Sequence, residues 1–133
     1  MLVRRLADAP VEEYHRLRDH ILMDAGEMGS RNMSVTWLDV PGGVEQELHS
    51  HEEAEQVYIV VRGNGRMTVA GDTQEIAPGD LVLVPPATDH SIANDGEAEF
   101  CCVSVQSPAV SASEVFGRQA APVAAEYEED GEY

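Results

Sequence analysis

The sequence predicts an all-β fold, a sandwich or barrel of many short strands in one domain. Between Met33 and about Ser107, short β-branched runs are separated at close spacing by Gly, Pro, Asn and Asp, a pattern typical of such folds. The runs are MSVTWLDV, EQELHSH, QVYIVV, RMTVA, TQEI, DLVLVP, HSIA and EFCCVSVQS. Two segments between runs, RGNGR and AGDTQ, have the composition of hairpin turns. The length of 133 residues suffices for the core of one domain but not of two.

Two other segments flank the predicted barrel of residues 33–107. Residues 1–32 predict a short N-terminal helix and a linker, because Pro10 would stand in a first helical turn and an apolar stripe follows. The stripe consists of Val11, Tyr14, Leu17 and Ile21. Residues 108–133 are rich in Ala, Ser and Pro and end in AAEYEEDGEY, so we expect a flexible acidic tail.

Charge and composition exclude several classes of partner. The chain has 25 Asp and Glu against 8 Lys and Arg, a formal net charge of -17, which disfavours binding to nucleic acid or to an anionic membrane surface. No segment approaches the roughly 20 apolar residues of a membrane span, and no apolar leader follows the arginines near the start. A cytoplasmic location is expected. The two cysteines, Cys101 and Cys102, are adjacent in a predicted strand and therefore predict neither a disulfide framework nor a zinc site.

Three histidines carry the strongest functional signal. His49 and His51 are one residue apart, so in a strand their side chains lie on the same face, and parity predicts Glu47 on that face as well. An H-x-H pair alone is weak support for a metal site. A second segment downstream, GDLVLVPPATDHSIAN, supplies His90.

Together the two segments resemble the paired motifs of the cupin superfamily, G-x5-H-x-H-x(3,4)-E-x6-G and G-x5-P-x-G-x2-H-x3-N. Gly43, His49 and His51 stand at the spacing of the first motif. The residues at the spacing of the second are Gly79, Pro85, Ala87, His90 and Asn94. Ala87 departs from the glycine of the family pattern. The resemblance covers about half of the chain and implies a double-stranded β-helix, or jelly-roll, barrel. It also implies a homodimer, since small single-domain cupins commonly pair through sheet edges.

The resemblance further implies one divalent transition metal inside the barrel. Its ligands would be His49, His51 and His90 together with one oxygen, and open coordination positions would remain for a substrate. Three imidazoles and an oxygen suit Fe, Mn, Ni, Co, Cu or Zn, and affinity order alone does not choose among them.

The fourth ligand has two candidates. Counting three residues on from His51 gives Glu55, the usual acidic ligand, whereas counting six back from Gly63 gives Gln56. A loop absorbs an extra residue more easily than a strand slips, because a slip of one residue turns every side chain to the other face. This argument favours Gln56, which also has a parallel among sugar-processing cupins, and it leaves Glu55 as the alternative.

Two further residues are candidates for catalysis. Glu47 is a candidate general acid or base. The sequence is equally compatible with a structural role, in which its carboxylate lies at the rim of the barrel or beside a ligating histidine. Tyr58 shares the predicted inward face with Gln56, where it would donate a proton or a hydrogen bond to the substrate, or simply fill the barrel. The prediction is an enzyme that binds a small polar or enolisable molecule and carries out isomerase, epimerase or lyase chemistry. A metal dioxygenase, a polyketide-cyclase-like cupin and a non-catalytic binding module are the alternatives.

Overall fold

The computed structural model describes residues 1–110, and it places nine strands in two antiparallel sheets that face each other. The strands are β1 (Val11–Tyr14), β2 (Leu17–Met23), β3 (Ser34–Val40), β4 (Glu55–Arg62), β5 (Gly65–Val69), β6 (Asp72–Ile76), β7 (Leu81–Val84), β8 (His90–Ala93) and β9 (Phe100–Ser107). One sheet has the order β1-β2-β3-β9-β4-β7 and the other β6-β5-β8. The predicted all-β fold is therefore confirmed, and the predicted flexible tail lies almost wholly outside the described residues.

The predicted N-terminal helix is wrong. Residues 11–23 form the hairpin β1–β2, and the only helical turns among residues 1–110 are the short 3-10 turns Leu6–Asp8 and Glu27–Gly29. His15 and Arg16 form the hairpin's two-residue turn with φ of 49° and 72°, the left-handed backbone that such turns require. β2 pairs with β3 and so extends the larger sheet. No helix of residues 1–110 has the length and apolarity that a membrane crossing requires.

The turn at RGNG is not a hairpin. It carries the chain from β4 in the larger sheet to β5 in the smaller one, whereas the Ala70–Gly71 turn does join the paired strands β5 and β6. Gly63 has φ +76°, and a Cβ there would collide with the backbone at Glu99 and Phe100, so the change of sheet requires glycine.

The core lies between the sheets and is built from the inward side chains of both. It contains Leu17, Leu38, Val40, Val44, Tyr58, Val60, Met67, Ile76, Val84, Ile92, Phe100 and Cys102. Inward parity along β4 selects Gln56, Tyr58 and Val60, which are at most 2% exposed, while Glu55 is exposed. The alternation is interrupted only at the bulge between Val60 and Arg62. It therefore does not continue to Gly63, although the count of six residues back from Gly63 assumes that it does.

Candidate metal centre

The three histidines converge inside the barrel. His90 begins β8, while His49 and His51 lie in the segment before β4, and an isolated bridge pairs His49 with His90. One ligand nitrogen from each histidine lies within 4.8 Å of the others. The ring centroids of His49 and His90 are 4.2 Å apart, and those of His51 and His90 are 5.0 Å apart. The structure thus brings together the three residues that the two motifs predict.

Main-chain carbonyls orient two of the imidazoles. The Nδ1–H of His49 donates to the carbonyl of Glu47 at 2.7 Å, and that of His90 to the carbonyl of Thr88 at 2.9 Å. In a neutral imidazole, a protonated Nδ1 leaves Nε2 as the nitrogen with the lone pair. The Nε2 atom of His90 is buried and has no hydrogen-bond partner among residues 1–110. Metal-ligating histidines are commonly held by such a bond from the other ring nitrogen.

Burial keeps all three imidazoles neutral. Desolvation lowers the pKa of His49 well below its ordinary value and that of His51 to about 4. Electrostatic repulsion from His90 is the second largest cause of both shifts. Desolvation also lowers the pKa of His90. Neutral imidazole is the form that binds a metal.

Gln56 places its amide oxygen in this cluster. Its Oε1 accepts a hydrogen bond from Nε2 of His51 at 2.7 Å, and its Nε2 donates to Oγ of Ser104 on β9 at 2.6 Å. In this arrangement the amide oxygen points to His51, and the amide nitrogen points to Ser104. If a divalent cation replaced the proton on Nε2 of His51, that nitrogen and the Gln56 oxygen could both act as ligands. Three neutral nitrogens and one amide oxygen fit such an ion, and the exposed Glu55 lies on the opposite face of β4.

The regular alternation that predicted Glu47 on the histidine face does not hold in the segment before His49. The bridges Glu45–Ala93 and His49–His90 differ in register by one residue, so the segment between them is irregular and alternation fails. The Glu47 side chain is exposed, and Gln46 is the half-buried residue of this segment, with both amide atoms enclosed. Glu47 contributes its carbonyl to His49, and the structure does not test an acid or base role for its carboxylate.

Tyr58 lies beside the metal centre. It is fully buried, and its ring centroid is 6.2 Å from that of His90. Burial, then Cys102 and Asp19, raise the pKa of its phenol well above the ordinary value, so the hydroxyl stays protonated. Asp19 on β2 is also fully buried, a position that the predicted helix could not reveal. The alternation of Leu17, Asp19 and Ile21 was the signal for its inward direction.

A second group of potential ligands lies on the outer side of the larger sheet. Asp39 accepts hydrogen bonds from His20 at 2.6 Å and from Trp37 at 2.9 Å, and the Cys101 thiol donates to it at 3.1 Å. Burial, then Asp39, raise the pKa of Cys101 to about 12, so this thiol is not ionised. The Arg62 guanidinium contacts both Cys101 and Glu99. The Asp39 carboxylate, the Cys101 thiol and the Arg62 guanidinium are thus joined by hydrogen bonds, which is typical of a structural network.

The family model of the cupin domain matches residues 35–106, more than half of the chain. The chain is a cupin. It is 36% identical over 102 residues to an uncharacterized protein of Methanocaldococcus jannaschii, covering 68% of this chain and 82% of that one. A structure of a predicted oxalate decarboxylase from Thermotoga maritima is 21% identical, with a TM-score of 0.73 and coverage of 80% of this cupin and 98% of that chain. That likeness shows the fold alone.

A third similar protein is a provisionally assigned sugar phosphate isomerase from Acidithiobacillus ferrooxidans. Its structure is 28% identical, with a TM-score of 0.62, and the match covers 74% of this cupin and 67% of that chain.

Proposed function

We propose that this cupin is a metal-dependent enzyme that acts on a small hydroxylated keto compound or sugar acid, by isomerase, epimerase or lyase chemistry. The observation that carries the proposal is the buried set of three neutral imidazoles with the Gln56 amide oxygen beside them. A bound divalent ion supplies Lewis acidity to a substrate carbonyl or hydroxyl oxygen. Because these four groups are uncharged, they leave the full positive charge of the ion to polarise that oxygen.

The residues around the cluster suit such a substrate. The Tyr58 phenol remains protonated and can donate a hydrogen bond to a substrate oxygen near His90. The likeness to a protein provisionally assigned as a sugar phosphate isomerase supports the same class.

Proton exchange next to a carbonyl tests the proposal, because the enolising isomerases, epimerases and lyases share this step. The protein is loaded in turn with manganese, nickel or zinc and incubated in D2O with a panel of ketoses and uronates. Proton NMR should show loss of the signal at the carbon beside the carbonyl. We expect exchange with at least one pair of metal and substrate, slower exchange in Tyr58→Phe, and none in His90→Ala.

Gln74→Ala serves as the matched control, since Gln74 is exposed on β6. It should behave as the wild type. Absence of exchange and of product under every combination would contradict the proposal. Oxygen consumption by the iron-loaded protein in place of exchange would indicate the dioxygenase alternative, and binding without turnover would indicate a binding module.

A further inference from the structure

Gln106 on β9 has a buried amide oxygen that lacks a partner. The residue is 6% exposed, and its Oε1 has no hydrogen-bond partner among residues 1–110. Buried polar atoms in folded proteins are nearly always hydrogen-bonded, because an unsatisfied group loses its water without compensation. A ligand inside the barrel would provide the missing partner.

The position of Gln106 places it next to the metal centre. In the register of β4 with β9, Gln106 stands directly opposite Gln56, and both side chains are buried on the inward face. Residues paired in this way have Cβ atoms about 5 Å apart. Since the Gln56 oxygen lies 2.7 Å from the His51 nitrogen, Gln106 is one strand away from the predicted ligand set.

The two amide atoms of Gln46 are likewise buried and lack a hydrogen-bond partner among the described residues. The Tyr58 phenol is protonated, so these groups, like Gln106, are neutral. Neutral amides and phenols bind hydroxyl groups by both donating and accepting hydrogen bonds, and they do not need a charged ligand.

We infer that Gln106 determines substrate specificity by hydrogen-bonding to a hydroxyl group of the molecule held at the metal centre. The inference rests on the proposed function and narrows it to compounds with a hydroxyl group a few atoms from the oxygen that binds the metal. Hydroxy acids and ketoses have this arrangement. The amide can present either its oxygen or its nitrogen, so the hydroxyl can donate or accept.

The melting temperature of the metal-free protein tests, without any ligand, whether the buried Gln106 oxygen lacks a hydrogen-bond partner. Gln106→Leu should raise it, because leucine has a similar volume and removes a buried oxygen that has no partner. Gln74→Leu, at an exposed position, controls for the apolar substitution itself and should give no such rise. A lower melting temperature in Gln106→Leu would overturn the inference, since it would mean that another part of the chain already binds this amide.

Calorimetric titration of the zinc-loaded protein tests recognition. The two probes are D-gluconate and hexanoate, which share a carboxylate and a six-carbon chain but differ in hydroxyl groups. Loss of one hydrogen bond should weaken gluconate binding by about tenfold in Gln106→Leu. Hexanoate binding should not change.

The outcomes separate this inference from the proposed function. If the wild type prefers gluconate and Gln106→Leu keeps that preference, or weakens both probes equally, the inference is wrong while the proposed function stands. If the wild type binds zinc but does not prefer gluconate, the substrate class named here is wrong. If the wild type binds no metal, the proposed function fails, and the melting temperature still decides whether Gln106 has a partner within the protein.

Discussion

The imidazoles of His49 and His90 are held by main-chain carbonyls and not by acidic side chains. A carbonyl partner fixes the ring without adding negative charge, and the Gln56 amide is neutral as well. Consequently this cupin, in spite of a net charge of -17, offers a metal an uncharged donor set. An ion bound there would keep its attraction for an anionic or enolate oxygen.

The two candidates for the fourth ligand make opposite predictions. Gln56→Ala should weaken metal binding or change the preferred metal, because it removes an oxygen beside the His51 nitrogen. Glu55→Ala should do little more than remove an exposed charge. Equilibrium dialysis of both variants against zinc and manganese measures the difference. Weaker binding in Glu55→Ala with no change in Gln56→Ala would restore the acidic ligand.

The depressed pKa of His51 predicts how stability depends on pH in the metal-free protein. His51 has a pKa of about 4 in the folded state, against an ordinary 6.5, so between these values the unfolded chain binds more protons. As far as His51 determines it, the free energy of unfolding is highest above pH 6.5 and decreases as the pH falls towards 4. One pKa unit corresponds to about 1.4 kcal/mol, so His51 alone accounts for roughly 3 kcal/mol.

Urea unfolding of the metal-free protein at pH 7.0, 5.5 and 4.5 measures this loss. His51→Gln should show a smaller decrease than the wild type over the same range. Equal free energies of unfolding at the three pH values would contradict the burial of neutral imidazoles.

Among the strands, β1 and β2 show where prediction from the sequence fails. The apolar residues of this segment fit a helical stripe, but they also fit the period-two alternation of Leu17, Asp19 and Ile21, in which an acidic residue faces the core. A buried Asp is not recognisable as inward by its type. The turn carried no signal either, because His15 and Arg16 replace the Asn and Gly usual at positive φ. Hydrogen bonding of β2 to β3 then stabilises the strand over a helix in this segment.

The site was predictable where the spacing is fixed by regular strands, and unpredictable at irregularities. The inward direction of Gln56 agrees with the regular alternation from Gln56 to Val60, although the count from Gly63 that predicted it crosses the bulge between Val60 and Arg62. The position of Glu47 does not agree with such alternation, because the register changes by one residue between two bridges. No residue type marks that irregularity, so the enclosed Gln46 could not be anticipated.

The turn before β8 gives a prediction about stability. Ala87 has φ 56°, a left-handed backbone that disfavours a Cβ, and its N–H donates to the His51 carbonyl. Ala87→Gly should therefore raise the free energy of unfolding by up to about 1 kcal/mol, after allowance for the greater freedom of glycine in the unfolded chain. Thermal or urea denaturation measures the change. Ala98→Gly, at a position without positive φ, should lower stability, and equal effects of the two variants would contradict this explanation.

For the molecule as a whole, the outer side of the larger sheet is apolar near one edge. Val57, Ile59, Val103 and Val105 lie there beside Leu81 and Leu83 of the edge strand β7, and the two leucines are 61% and 51% exposed. We propose that this cupin is a homodimer in which a second copy covers this surface. An exposed apolar patch at an open strand edge favours such an interface. The contact would then include a sheet face as well as the edge.

Light scattering tests the homodimer. At micromolar concentration the wild type should have about twice the mass of one chain, and Leu81→Lys/Leu83→Lys should have the mass of one. Val3→Lys, a substitution of an exposed apolar residue near the N-terminus, should leave the mass unchanged. A monomeric wild type would contradict the proposed dimer.

The metal content per chain tests the central claim most directly. Protein purified without chelators is measured by elemental analysis as the wild type and as His51→Ala, and circular dichroism checks that both are folded. We predict close to one divalent transition metal per chain in the wild type and loss of most of it in His51→Ala, because the substitution removes one of three converging imidazoles. An unchanged metal content in folded His51→Ala, or a wild type that takes up no metal on loading, would contradict the metal centre.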